Sequence, residues 1–219
     1  LEIFSSMPDI RALSLEDSVI EDPNPSIEII GGMNNLRALN LGRTGITDHH
    51  LPYISSMSKL IYLDLSQNHI TDSGLEHLRY LTNLKTLILG NTRITNKGLK
   101  HIRELSKLKT LRLDRVGIDN KGLDTVMRFS GLRYLDLSGT DISDNGLKKI
   151  ARLSNLTRVD LASTAVSNSG LRHLRTLTDL RFLDLDETYC SSKGKDSLSK
   201  YLPNCKMIGE KHQLLAPRF

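Results

Sequence analysis

Several residue types and motifs are scarce or missing in this sequence. It has no tryptophan and two cysteines in 219 residues, too few for a disulfide-dense secreted scaffold, and this scarcity favours an intracellular location. No segment approaches the roughly 18 apolar residues of a membrane-spanning helix, so no transmembrane segment is predicted. The glycines lack phosphate-binding or dinucleotide-binding spacing, and no nucleophile motif stands out. We therefore predict that the protein is not an enzyme and has no cofactor or metal site.

Leucine, by contrast, is abundant and recurs with a fixed period. One set of leucines is spaced by 24 residues: Leu36, Leu60, Leu84, Leu108, Leu132, Leu156 and Leu180. When each unit is numbered from this leucine, places four and six are also aliphatic, which predicts a short strand with one buried face. Later in the unit Leu75, Leu78 and Leu81 are spaced by three, which predicts a short helix. Each unit is thus a strand, a turn and a helix.

The repetition itself determines the fold. One 24-residue unit cannot bury its apolar face alone, so the units must stack into a continuous core. Identical spacing makes the strands parallel and adjacent, and the wider helices force the stack to curve with the strands inside. The predicted fold class is an α/β solenoid with parallel strands on the concave face and short helices on the convex face. We expect one domain over residues 1–219, with irregular units in 1–35, seven repeats in 36–203, and an edge strand and tail in 204–219.

Two polar columns accompany the helix of each unit. Place fifteen is glycine in six units: Gly74, Gly98, Gly122, Gly146, Gly170 and Gly194. We expect a left-handed or crowded backbone there, because glycine lacks Cβ. Place thirteen is aspartate or asparagine: Asp48, Asp72, Asn96, Asn120, Asp144 and Asn168. Such short polar side chains are predicted to cap the loop or the start of the helix.

The segment from Leu60 to Ile70 resembles the leucine-rich repeat signature L-x-x-L-x-L-x-x-N/C-x-L place for place. The resemblance extends from residue 1 to about residue 208. Threonine usually replaces Asn or Cys at place nine, and the ITDSGL and ISDNGL turns look like the subclass found in F-box substrate receptors and bacterial repeat proteins. The resemblance implies a horseshoe-shaped solenoid that binds proteins.

The two ends of the sequence depart from the regular repeat. The first ten residues, LEIFSSMPDI, align with LPYISSMSKL at residues 51–60, so the sequence begins inside the helix of a repeat. We therefore expect a monomeric domain of a longer chain. The prolines and acids of EDPNPS predict an irregular loop at residues 21–26. Cys190 and Cys205 occupy core places, which predicts buried free thiols.

The predicted binding surface is the concave strand face, where places three, five, seven and eight point away from the core. Its candidate partner-binding residues are Tyr62, Asp64, Ile88, Arg112, Tyr134, Asp136, Arg158, Asp160, Phe182 and Asp184. Aspartates on three successive strands would repel one another. Either Arg133, Arg158 and Arg181 neutralise them, or a basic side chain of a partner does. Aromatic, arginine and aspartate side chains on one exposed face are typical of protein-binding hot spots, so we predict a protein partner of unknown identity.

Two alternatives remain open. The resemblance to F-box repeat proteins suggests the substrate-receptor arm of a ubiquitin ligase, which would need an F-box before residue 1. The helix face suggests a binder of nucleic acid or anionic membrane, since nine cations there face only Glu76, Glu104 and Asp124. These cations are Arg79, Lys100, Arg103, Arg128, Lys148, Lys149, Arg152, Arg172 and Arg175. No aromatic side chains alternate with these charges, which favours an ordinary solvated helix face.

Overall fold

The structure is a computed structural model that describes residues 9–18, 20 and 23–209. Nine parallel strands form one sheet in which the strand order follows the chain. The strands are β1 (Ala12–Ser14), β2 (Ala38–Asn40), β3 (Tyr62–Asp64), β4 (Thr86–Ile88), β5 (Thr110–Arg112), β6 (Tyr134–Asp136), β7 (Arg158–Asp160), β8 (Phe182–Asp184) and β9 (Lys206–Ile208). The predicted α/β solenoid is confirmed.

Short helical segments follow the strands. The α-helices are α1 (Pro23–Gly31), α2 (Leu51–Ile54), α3 (Asn96–Leu99), α4 (Leu123–Val126), α5 (Asp144–Ile150), α6 (Asn168–Leu171) and α7 (Ser192–Ser199). Segments of 3₁₀-helix span Asp48–His50, Gly74–Leu78, Lys100–Ile102 and Arg172–Thr176. The mixture fits an apolar spacing of three residues, because side chains three apart lie above one another in a 3₁₀-helix. In the part of the chain that the structure describes, no helix has the length and apolarity needed to cross a membrane.

The register of the sheet repeats the 24-residue period. Tyr62 pairs with Thr86, Leu63 with Leu87, and so on along the array, which places equal positions of successive units side by side. Leucines at the first, fourth and sixth places are buried in one continuous core behind the sheet. The concave face therefore carries columns of side chains that are one repeat apart in sequence and one strand apart in space.

The glycines at place fifteen make room for the preceding repeat. A Cβ on Gly98 would lie 2.4 Å from Oδ1 of Asp72 and 3.0 Å from its Cα. The expected crowding is therefore present, but the expected left-handed backbone is not, since Gly122 has a φ of −57°. Left-handed residues occur instead at place eight, where most are not glycine: Asp17, Arg43, Gln67, Asn91, Arg115, Ser163 and Glu187.

This left-handed place eight continues the pairing beyond the strand. Arg43 N donates to Ser66 O at 2.9 Å, and Gln67 N donates to Gly90 O at 2.9 Å. A left-handed conformation costs a residue with a Cβ roughly 1–2 kcal/mol, and a backbone hydrogen bond to the next repeat offsets part of that cost. Where place eight is not glycine, as at Arg43 and Gln67, the turn after the strand is thus stabilised by the neighbouring repeat.

The aspartates and asparagines at place thirteen connect successive repeats. Asp48 accepts a hydrogen bond from Thr71 N at 2.8 Å and another from the Thr71 hydroxyl at 2.5 Å. The same contact recurs between Asp72 and Thr95, Asn96 and Asp119, Asn120 and Ser143, Asp144 and Ser167, and Asn168 and Ser191. Of the two predicted roles, the helix cap is wrong and the loop contact is present, because these side chains bond N–H groups in the loop of the following repeat. We call this series the polar ladder.

Place nine shows how the threonines differ from the usual asparagine. The Thr92 hydroxyl donates to the carbonyl of Leu89, within its own turn, at 2.7 Å. Asn68 does more: its Oδ1 accepts from Thr44 N at 3.2 Å and Gly45 N at 2.9 Å, while Nδ2 donates to Leu41 O at 2.7 Å. Among the described residues at place nine, the asparagine side chain alone therefore joins two repeats.

The structure corrects one expectation at the N-terminal end. The segment EDPNPS was expected to be an irregular loop, but helix α1 begins at Pro23. Proline is tolerated at the first helical position because the N–H that it lacks would have no partner there. The predicted helix in residues 1–8 and the tail in residues 210–219 lie outside the described residues. Cys190 is buried and Cys205 is half-buried, and both are free thiols.

Candidate functional site

The sequence-predicted site residues lie on adjacent strands of the concave face. Strand alternation directs place four into the core, and therefore places three and five face the opposite side. The register sets Tyr134, Arg158 and Phe182 side by side on β6, β7 and β8. It likewise sets Asp136, Asp160 and Asp184 side by side two residues further along each strand. The structure thus brings the six predicted residues on β6, β7 and β8 together in two parallel rows.

The first row is a cation held between two aromatic rings. The guanidinium carbon of Arg158 lies 5.0 Å from the centre of the Tyr134 ring and 4.3 Å from the centre of the Phe182 ring. Each such contact contributes about 0.5–1 kcal/mol at an exposed site. Among the described residues the side chain of Arg158 forms no hydrogen bond or ion pair, so its N–H donors are available to a partner. We call these three residues the aromatic–arginine cluster.

Asp136, in the second row, is already neutralised within the protein. It is only 2% exposed, and its Oδ2 accepts from Arg112 Nε at 3.1 Å and from the Tyr134 hydroxyl at 3.2 Å. Its Oδ1 accepts from the backbone and the hydroxyl of Ser138. The expectation that nearby Arg133, Arg158 and Arg181 neutralise the row is wrong here, because Arg112 does so from the equivalent place one repeat earlier.

Arg112 also contacts an acid that the sequence analysis missed. Its Nη2 lies 3.4 Å from Oδ1 of Asp114, an ion-pair contact without hydrogen-bond geometry. Burial raises the pKa of Asp114, and the nearby Asp136 carboxylate raises it further. The sequence could have identified Asp114, because it is an acid at place seven, which faces the concavity beside place five.

Asp160 is the least compensated acid of the row. It accepts a backbone hydrogen bond from Ala162 N at 3.1 Å. Asp64 and Asp136 accept a further bond from the hydroxyl of the serine two residues later, and alanine at position 162 has no such hydroxyl. Burial is the main cause that raises the pKa of Asp160 to about 6, and the charges of Asp136 and Asp184 raise it further. The Ala162 N–H and the Arg158 charge lower the pKa of Asp160 but do not offset these effects. Asp160 therefore carries a charge at neutral pH that the protein only partly stabilises.

The remaining predicted residues contribute unequally. Asp184 accepts from Asp186 N at 2.9 Å and stays half-buried, so it is available to a partner. Asp64 and Ile88 are only 7% and 8% exposed, although both were predicted to contact a partner. Tyr62 is half-buried, and its hydroxyl lies 3.5 Å from Oδ2 of Asp64. Asp64, Ile88 and Asp136 thus support the concave face more than they form its surface.

The three acids of the convex helix face each pair with one of its nine cations, which leaves six cations without an acid partner among the described residues. Three of its cations form ion pairs: Lys149 with Asp124 at 2.6 Å, Arg79 with Glu76 at 3.2 Å, and Arg103 with Glu104 at 3.0 Å. Another, Arg175, lies 4.3 Å from the ring centre of Tyr201. Within the residues described, no cluster of His, Cys, Asp and Glu could hold a metal ion.

Comparison with known proteins agrees with this architecture. The model of the family described as leucine-rich repeat region matches residues 47–212. No curated protein matches the chain. The solved structure of internalin C2 from Listeria monocytogenes is similar over 94% of this chain and 83% of that one, with 26% identity and a TM-score of 0.72. An internalin F structure from the same organism matches 99% of this chain and 71% of that one, with 19% identity and a TM-score of 0.65, which shows the fold alone.

Proposed function

Because this chain belongs to the leucine-rich repeat family and is a protein-interaction module, we propose that it binds its partner on the concave strand face. The contact centres on the aromatic–arginine cluster, with Asp160 and Asp184 beside it. Solenoid proteins use extended concave surfaces for binding, and leucine-rich repeat proteins are typically binding modules without catalysis of their own.

The observation that carries this proposal is the stacking of Arg158 between Tyr134 and Phe182. The rings hold the guanidinium in one orientation, so little side-chain entropy is lost when a partner contacts it. Tyrosine and arginine are also enriched among residues that dominate binding energy. The free N–H donors of Arg158 suit a carboxylate or carbonyl of the partner, while Asp160 suits a lysine or arginine.

A photo-crosslinking experiment tests the location of the contact. Phe182 is replaced by a benzoylphenylalanine, which keeps an aromatic ring at the cluster. The matched control carries the same residue at Tyr80, which is on the convex face, 63% exposed and also stacked against an arginine, Arg79, at 4.6 Å. We expect a protein to be crosslinked at position 182 and not at position 80. Crosslinking at position 80 alone would contradict the proposal.

The captured protein then serves for affinity measurements with purified components. Tyr134→Ala and Phe182→Ala should each weaken binding by about 1–3 kcal/mol, because each removes a central aromatic contact and one side of the Arg158 stack. Tyr80→Ala removes a comparable stack from the other face and should leave the affinity unchanged. Equal losses in all three variants would mean that the concave cluster has no special role.

A further inference from the structure

A second charged surface lies at the edge of the sheet where the strands begin. It consists of exposed cations at places two and twenty-four of successive repeats: Arg37, Lys59, Lys85, Lys107, Lys109 and Arg133. We call these six residues the basic rim. Four of them line one shallow cleft of about 390 Å³ together with Ile61 and Asn83. The rim thus forms one continuous surface from β2 to β6.

Neutral amides hold two of the rim lysines in place. Lys59 Nζ donates to Asn35 Oδ1 at 2.8 Å, and Lys107 Nζ donates to Asn83 Oδ1 at 2.7 Å. The Asn83 amide is fixed in turn, because its Nδ2 donates to Ser58 O at 2.8 Å. Each lysine therefore has a defined position and keeps its full positive charge.

No acid compensates this charge along the length of the rim. Among residues 9–18, 20 and 23–209, none of the six cations forms an ion pair. Asp9 borders the neighbouring cleft beside Arg37 and Lys59, at the N-terminal end of the rim. Because adjacent strands are about 4.8 Å apart, the five strands β2 to β6 place six positive charges within about 19 Å. Such a density of positive charge favours a partner with closely spaced negative charges.

We propose that the basic rim binds an extended acidic polypeptide segment, a run of aspartates and glutamates, carried by the partner that occupies the concave face. This rests on the proposed function. An extended chain advances about 3.4 Å per residue, so about six residues span the roughly 19 Å of the rim, and every second side chain can face it. The rim adjoins the concave site directly, since Arg133 immediately precedes Tyr134. No aromatic ring lines the rim cleft, so bases of a single-stranded nucleic acid would have nothing to stack on.

The test uses a fluorescent peptide of ten glutamates and the same peptide made of glutamines, titrated with the whole 219-residue chain. The rim variant is Lys85→Glu, Lys107→Glu and Lys109→Glu. The control variant reverses Lys148, Arg152 and Arg172 on the convex face, which changes the net charge equally. We expect the glutamate peptide to bind, the rim variant to bind at least 10-fold more weakly, and the control variant to stay within about 2-fold.

Other outcomes overturn the proposal in recognisable ways. Equal losses in the rim and control variants would mean that only the net charge of the protein matters. Equal binding of the glutamine peptide would mean that the negative charges of the glutamate peptide contribute nothing to binding. A ten-nucleotide thymidine strand or phosphatidylserine vesicles that bind more tightly than the glutamate peptide, and lose this in the rim variant, would assign the rim to nucleic acid or membrane. If the rim variant melts early, Lys→Ala changes at the same three positions replace it, with the same criteria.

One comparison separates this proposal from the proposed function. Phe182→Ala leaves the rim intact, so binding of the glutamate peptide should not change. Failure of the peptide to bind, with crosslinking at position 182 preserved, would remove the rim proposal alone. Loss of crosslinking at position 182, with peptide binding preserved, would remove the concave site and leave the rim.

Discussion

Replacing Asp160 with asparagine should stabilise the protein at neutral pH. Asparagine has the same shape and keeps the oxygen that accepts from Ala162 N. The chain already contains this arrangement, because Asn40 occupies place five of its own repeat and accepts from Gly42 N at 2.9 Å. The substitution therefore removes a charge that Asp136 and Asp184 disfavour and leaves the backbone turn intact.

The size of the effect follows from the pKa. Folding raises the pKa of Asp160 from 3.8 to about 6, and each unit corresponds to about 1.4 kcal/mol. The full shift would amount to about 3 kcal/mol; Asp160 is half-exposed, so solvent screening reduces this to about 1–2 kcal/mol. Between these pKa values the folded state binds more protons than the unfolded state, and the stability that Asp160 contributes is therefore lost as pH rises from about 4 to 6.

Urea unfolding of both proteins at pH 4, 5, 6 and 7 measures this directly. The difference in unfolding free energy between Asp160→Asn and the unmodified protein should be near zero at pH 4 and reach about 1–2 kcal/mol in favour of the variant at pH 7. Asp136→Asn is the control and should be destabilising at pH 7, because it breaks the ion pair with Arg112. A difference that is constant across pH, or an Asp160→Asn variant less stable at pH 7, would show that the Asp160 charge does not destabilise the fold.

Four further predictions concern binding, packing and folding. If a basic side chain of the partner contacts Asp160, affinity should fall as pH drops below about 6, and this should be absent in Asp160→Asn titrations. Gly98→Ala should destabilise by roughly 1–3 kcal/mol in urea unfolding, because its Cβ would overlap Asp72. Asn68→Thr should cost about 1–3 kcal/mol in the same assay, since two N–H groups of the preceding repeat lose their acceptor. We expect the solenoid to unfold from its ends, so hydrogen exchange should be slowest in the strands of residues 84–161. Uniform protection across the repeats would contradict this expectation.

The strands and the core were predictable because they depend on local spacing. Leu63 and Leu87 share a place in the period, and the structure pairs them. The left-handed turn after each strand was not predictable, since residues such as Arg43 and Gln67 carry no glycine signal. Their conformation is set by a hydrogen bond to the next repeat, which single-sequence patterns do not reveal.

The candidate site likewise has one feature that could be predicted from the sequence and one that could not. The row of aspartates follows from the period, whereas the arginines predicted to neutralise it, such as Arg158, lie close to the aspartates in the chain. The arginine that neutralises Asp136 is Arg112, which is 24 residues earlier and directly adjacent in the sheet. In an array of identical register, side-chain partners are found by adding or subtracting one period, and this rule would have identified the pair.

The polar ladder restricts how such an array can grow or shrink by gene duplication. Loss of unit 108–131 would bring Asn96 opposite Ser143, the same pair that Asn120 now forms. Loss of unit 84–107 would bring Asp72 opposite Asp119, two carboxylates where Asn96 now donates to the acid at 2.7 Å. Units of equal length are therefore not equivalent in evolution, because each carries an inherited preference for the unit that follows it.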